Sequence, residues 1–182
     1  NGEGDTVLED IDLESLNGIE IIKGPNATSF GAGLGGVIHL MGKSIEENSS
    51  FGKFASTFGS FGLLKNTVSG GFNNGTTDLY LGYNQLNSDG FRENSDYDRK
   101  SMNLTAKQKL TENSSLSFFG IATRLKAFIP SSINQSNFEN NPEVAAPTWK
   151  AAQGYESYDK LIMGMGYETK FSEKWSVDAS VF

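Results

Sequence analysis

The 182 residues carry 15 basic and 22 acidic side chains, a formal net charge of −7, with 12% aromatic residues, 21 glycines, four prolines and no cysteine. That balance, without any cluster of Lys and Arg, excludes the electrostatic footprint of a nucleic-acid binder, and the missing thiols exclude a disulfide framework or a thiolate metal site. No apolar run approaches the roughly 20 residues of a membrane helix, whereas a transmembrane barrel needs only strands of about 10 residues of alternating polarity and stays polar overall.

The chain opens on an acidic stretch, Asn1 to Asn17, with Glu3, Asp5, Glu9, Asp10, Asp12 and Glu14. It reads as a solvated face with at most one helical turn through Leu13 and Leu16. Its spacing lacks the D-x-[DN]-x-[DN]-G order of a calcium loop, so no metal site is assigned.

Gly18 to Lys43, GIEIIKGPNATSFGAGLGGVIHLMGK, is the most informative stretch. Ile19 to Ile22 and Val37 to Met41 are short, rich in β-branched residues and bounded by Gly or Pro, which predicts two strands. Gly31, Gly33 and Gly36 between them match G-x-G-x-x-G, but a nucleotide site needs a strand running straight into the glycines and a helix after them. Gly24-Pro25 breaks the chain too early, and the run after Gly36 is too short and too β-branched for a helix.

The order Ile19-Glu20-Ile21-Ile22-Lys23-Gly24-Pro25, then Phe30-Gly31-Ala32-Gly33, then Gly35-Gly36-Val37-Ile38, resembles the plug-domain signature of TonB-dependent outer-membrane receptors. Phe30 stands where tyrosine is common and His39 where asparagine is common. The resemblance implies a plug inside a transmembrane antiparallel β-barrel, with Glu20, Lys23, Gly24, Pro25, Gly31, Gly33, Gly35 and Gly36 in structural or gating roles. It implies residues 1–46 as the C-terminal part of the plug and 47–182 as the first seven or so barrel strands. The alternating strand Trp175 to Phe182 stops in mid-pattern, so the segment is expected to be an internal piece of a longer protein that does not fold alone.

After the polar linker Ile45 to Ser50, strands are expected at Phe51 to Phe58, Leu63 to Phe72, Asp78 to Leu86, Lys100 to Leu110, Leu116 to Lys126, Ser157 to Lys170 and from Trp175. Asn73-Asn74-Gly75 is a tight hairpin signal. Connections alternate between short and long, as the short periplasmic turns and longer outer loops of outer-membrane barrels do. Met102, Leu104, Ala106 and Leu110 share one face, as do Leu161, Met163, Met165, Tyr167 and Phe171, and Trp175, Val177, Ala179 and Val181. Such faces suit either lipid or the second sheet of a soluble β-sandwich. Phe72, Tyr167, Phe171 and Trp175 fall beside the short connections, where an aromatic girdle would lie. Asp78 to Leu86 and Leu116 to Lys126 have mixed faces, and their orientation stays open.

The segment Asn87-Ser-Asp-Gly-Phe-Arg-Glu-Asn-Ser-Asp-Tyr97 also resembles a stretch that follows the third barrel strand in these receptors, and Ile129 to Trp149 resembles a large extracellular loop. No catalytic constellation emerges: His39 is the only histidine, and no carboxylates are paired by spacing into an acid/base dyad. Asn-x-Ser/Thr triplets, as at Asn103, reflect a chain rich in these residues. The loop residues Arg92, Tyr97, Phe128, Trp149 and Tyr155 offer hydrogen bonds and stacking surfaces to a ligand. The resemblance implies import of a scarce solute, such as an iron–siderophore, haem, a cobalamin or an oligosaccharide, with TonB and outer-membrane lipid as partners and no cofactor. The second reading is a soluble extracellular β-sandwich for glycan binding or adhesion, which would bury the face of Met163, Met165 and Trp175 under another sheet.

Overall fold

The computed structural model describes residues 11–24 and 35–182. A 3-10 turn, Leu13–Ser15, leads into β1 (Leu16–Lys23), which pairs with β2 (Gly36–Gly42) as an antiparallel hairpin. A second, seven-stranded sheet follows. Its strands are β3 (Ser49–Phe58), β4 (Leu64–Asn73), β5 (Thr77–Ser88), β6 (Tyr97–Thr111), β7 (Ser114–Phe128), β8 (Tyr155–Ser172) and β9 (Trp175–Val181), each antiparallel to its sequence neighbour. Two short helices, α1 (Gln135–Asn140) and α2 (Pro147–Ala152), lie in the connection between β7 and β8. The fold is therefore all-β and antiparallel. The large sheet is open, with β3 and β9 at its edges.

The two strands flanking the glycine-rich connection form where β-branched residues and bounding glycines place them. The seven later strands match the expected number. Connections 74–76, 112–113 and 173–174 are tight turns at one end of the sheet, and 59–63, 89–96 and 129–154 lie at the other. At 74–76 the side chain of Asn74 accepts from the amides of Thr76 (3.0 Å) and Thr77 (2.8 Å), and Gly75 takes φ +83°, which the turn requires and L side chains resist.

Two connections are shorter than the sequence suggests. Asn87 pairs with Asp98, and Phe128 with Tyr155, because the ladders continue beyond the strand ends that the sequence pattern marks. The helices α1 and α2 were not foreseen. Each is six residues long, too short for an apolar period. Asn134 caps α1 by accepting from the Asn137 amide at 2.8 Å, and Pro147 opens α2, where its missing N–H costs nothing.

Pairing registers orient every strand, including the two whose faces were mixed. One face collects Thr67, Ser69, Gly71, Tyr80, Gly82, Asn84, Ser101, Asn103, Thr105 and Thr123 from the middle strands. The other collects Phe54, Val68, Leu81, Tyr83, Met102, Leu161, Met163, Met165, Trp175 and Val177, all exposed. The first face is the more buried of the two. Asn84 is 0% exposed and Thr67 2%, whereas Leu161 is 63% and Trp175 74%. Asn84 Nδ2 donates to Ser101 Oγ at 2.7 Å, so the buried polar row is satisfied at this point from within the sheet. On the same polar face the Phe51 and Tyr80 rings stack with centroids 6.2 Å apart.

Candidate functional site

Two constructions stand out, one on the polar face of the sheet and one between its long connections. The first is where the N-terminal unit meets the sheet. The 3-10 turn is closed by Ser15, whose Oγ donates to the Asp12 carbonyl at 2.6 Å, and is tied to the end of the hairpin by the Lys43 amide donating to the Ser15 carbonyl at 2.9 Å. The turn thereby presents Asp12 and Glu14 to the large sheet. Lys53 Nζ on β3 donates to Glu14 Oε2 at 2.7 Å, and Lys65 Nζ on β4 to Glu14 Oε1 at 3.2 Å. Asp12 Oδ1 lies 3.8 Å from the same Lys65 and is 4% exposed. The hydrogen bond from Lys53 holds the Glu14 carboxyl below its ordinary range, against an opposing effect of partial burial and with further help from Lys65.

The linker behind the hairpin is pinned just as closely. The Ile45 amide donates to both carboxylate oxygens of Asp78 (3.2 and 3.3 Å), and Asn73 Nδ2 donates to the Ile45 carbonyl at 2.8 Å. Ile45, 8% exposed, packs where Gly71 leaves room. A Cβ on Gly71 would stand 3.0 Å from Ile45 Cδ1. Gly42 similarly faces Thr105, whose Oγ1 would lie 3.3 Å from an added Cβ. Small residues on the polar face are thus what lets backbone and side chains of the N-terminal unit approach it.

The second construction is a clasp between connections 89–96 and 129–154. Arg92 Nη1 donates to the Ser131 carbonyl at 2.7 Å, while Nη2 and Nε both donate to the Val144 carbonyl, at 2.7 and 3.1 Å. The planar fork suits this convergence. Beside it the Glu93 amide donates to the Glu143 carbonyl at 2.7 Å, and Glu93 accepts from Lys150 Nζ (2.6 Å) and the Ala145 amide (3.3 Å). The Lys150 hydrogen bond, then the Ala145 amide, holds the Glu93 carboxyl below its ordinary range. Asn94, at φ +54°, donates to the carbonyls of Ile129 (2.9 Å) and Gly154 (3.0 Å). The short loop grips the long one along its whole base.

The structure sorts the residues singled out in the sequence. Pro25, Gly31 and Gly33 lie outside the described residues. Gly24 adopts φ +95° and Gly36 φ +137°, and a Cβ on Gly36 would run into the Ile22 carbonyl, so glycine is required at this hairpin pairing. An added Cβ on Gly35 would meet nothing within 4 Å among the described residues. Glu20 is exposed and its Oε2 lies 3.4 Å from His39 Nδ1 across the hairpin. Lys23 is exposed at the end of β1, with no salt bridge among the described residues. Among the described residues, the charged contacts of the N-terminal unit to the large sheet come from Asp12 and Glu14, in a stretch the sequence presents as a solvated face.

Of the loop residues, Arg92 is engaged in the clasp. Trp149 on α2 packs its ring against Gly154, whose amide donates to the Trp149 carbonyl at 3.0 Å. Phe128 and Tyr155 come together, ring centroids 5.7 Å apart, with the Lys126 ammonium 4.7 and 5.0 Å from the two centroids. Their register puts them on the face of Leu161 and Met163, away from the N-terminal unit. Tyr97 alone falls on the polar face, at the mouth between β5 and β7. No protein-family model matches the chain.

Proposed function

We propose that this chain is part of a TonB-dependent outer-membrane receptor, with residues 1–46 in the plug and 47–182 in a transmembrane β-barrel. The receptor imports a scarce solute, such as an iron–siderophore, haem, a cobalamin or an oligosaccharide, across the bacterial outer membrane.

One observation carries the reading: the N-terminal unit packs on the polar face of the sheet and leaves the apolar face uncovered. A soluble sandwich buries its apolar faces, since burial there supplies about 25 cal/mol per Å². Here Met163 and Met165 stand uncovered, and the covered face is lined mainly by Thr, Ser, Asn and Gly, with Tyr80, Ile121 and Leu125 set among them. The height of the apolar face agrees with a bilayer. Leu161 to Phe171 on β8 advances about 33 Å at roughly 3.3 Å per residue, or about 25 Å normal to the membrane at a strand tilt of about 40°. Phe72, Tyr167, Phe171 and Trp175 edge it at the short turns, and Phe128 with Tyr155 at the long loops, as interfacial girdles do.

In this reading the ion pairs of Glu14 hold the plug to the wall, weakly enough at partly exposed sites to be released. TonB, acting through a plug segment, supplies the release, and the clasped loops with Tyr97 flank the ligand entrance. The test is uptake by a strain lacking the gene, assayed with labelled iron chelates, haem, cobalamin and oligosaccharides, each with and without TonB. Loss of one solute, reproduced by removing TonB, supports the proposal. Undiminished uptake of every solute, or a loss that does not require TonB, refutes it.

A further inference from the structure

Just above the apolar band, the outward face changes character within one row of paired residues. Tyr83, Met102, Ala122 and Leu161 form the last apolar row, and Gln85, Lys100, Arg124 and Asp159 form the next. Lys100 and Arg124 are direct cross-strand partners, an arrangement of like charges that costs stability. Arg124 is partly neutralised by Asp159, to which Nε donates at 2.6 Å and Nη2 at 3.3 Å, leaving the rest of its donor edge outward. Lys100 is exposed and makes no salt bridge among the described residues. Two residues further along β7, Lys126 adds a third cation on the same face. Asp98, its cross-strand neighbour, is occupied by the Asn87 side-chain amide.

Lys100 and Arg124 line a shallow depression of about 470 Å³, where the small Ala122 sits among Tyr83, Met102 and Leu161, and Lys126 lies one row beyond it. A positive rim over an apolar floor is unusual in a chain of net charge −7. We propose that Lys100, Arg124 and Lys126 bind the phosphate headgroup of an anionic lipid whose acyl chain lies in this depression. The inference rests on the membrane reading above and adds a defined lipid site to it. Charge complementarity selects a phosphate, and the phosphate relieves the Lys100–Arg124 repulsion that the fold itself leaves standing. The apolar floor, continuous with the band below, selects a lipid over a free anion, because a soluble phosphate gains nothing from Met102 and Leu161. The Phe128 and Tyr155 rings beside Lys126 lie at headgroup level, where amphipathic and cationic groups anchor to the interface.

The test uses the full-length protein in nanodiscs of equal parts phosphatidylglycerol and phosphatidylcholine, with retained lipid counted by native mass spectrometry. Wild-type protein should retain phosphatidylglycerol preferentially, and Lys100→Gln and Lys126→Gln should each weaken that retention about fivefold, the double variant about 25-fold. Both side chains are exposed, and Lys126→Gln gives up only the contacts of its ammonium with the Phe128 and Tyr155 rings. Lys107→Gln, on the polar face, should leave retention unchanged. A second readout, the part of tryptophan quenching by acyl-brominated lipid that is lost in Trp175→Phe, reports seating in the bilayer independently of headgroup. Normal quenching with no preference for phosphatidylglycerol, or with a preference that the double variant keeps, overturns the lipid site alone. Absence of Trp175 quenching overturns the membrane reading and the site with it.

Discussion

Removing Arg92 should loosen the long connection 129–154 without unfolding the sheet. Its guanidinium makes three bonds to two carbonyls, those of Ser131 and Val144, and the group is partly buried. Charge-assisted hydrogen bonds contribute about 1.5–3 kcal/mol each when buried, so counting one per carbonyl and discounting for solvent gives about 2–3 kcal/mol for Arg92→Ala. That energy stabilises a local closed state, so amides that open with the clasp should exchange roughly 30- to 150-fold faster. The reporters are the amides of Glu93, bonded to the Glu143 carbonyl, and Ala146, bonded to that of Pro130. Hydrogen exchange read by mass spectrometry over peptides of 89–96 and 129–154 measures the effect, with β4 to β6 peptides as internal reference. Arg92→Lys should fall between, since an ammonium lacks the fork that serves both carbonyls. Equal exchange in wild type and Arg92→Ala would show that the loops are held by other contacts, and the reasoning fails.

Three further outcomes are expected. Gly71→Val should drive its side chain into the Leu79 backbone carbonyl first and into Ile45 second, destabilising the β4–β5 pairing and the linker by about 1–3 kcal/mol, measured as a lower urea midpoint; an unchanged midpoint refutes the close-packing argument. Met163→Arg should cost about 2–4 kcal/mol for folding into lipid vesicles, against little for Ser117→Arg on the polar face, and equal costs would remove the lipid-facing assignment. Because the Glu14 carboxyl is held below its ordinary value, its contribution is present above the unfolded value and is lost as pH falls through the lowered one. Protection of the Lys43 amide should therefore decline in acid in wild type and be insensitive to pH in Glu14→Gln, and identical acid profiles would refute the pin.

How much of this was legible in the sequence depended on the range of the interaction. The hairpin of β1 and β2 and the tight turn at Asn74-Gly75 are local, written in β-branched runs and in residues that tolerate positive φ. The faces of β6, β8 and β9 follow from strict alternation. In β5 and β7 alternation is broken by Tyr80, Phe119, Ile121 and Leu125, apolar residues on the polar face. Tyr80 stacks on Phe51, so the exception has a packing cause that only the assembled sheet reveals. The clasp and the wall contacts were hidden by distance along the chain. Arg92 meets Val144 across 52 residues, and Glu14 meets Lys53 across 39 and Lys65 across 51. An acidic run looks solvated until the lysines that face it are known, and an arginine in a polar loop looks available until its acceptors are.

The hairpin and its tether also set how the N-terminal unit would respond to tension. Leu16 pairs with Gly42, so the strand entering β1 and the linker leaving β2 emerge at the same end. The linker is fixed to the wall through Asp78 and Asn73. A load drawn at residue 11 against that fixed point acts across the open end of the ladder and peels its bonds in succession, the low-force direction for an antiparallel pair. Had the two ends emerged at opposite ends of the hairpin, the same load would act along the strands and meet all the rungs at once. The route of the chain thus makes this small sheet easy to unravel from one side once the contacts of Glu14 to Lys53 and Lys65 have given way.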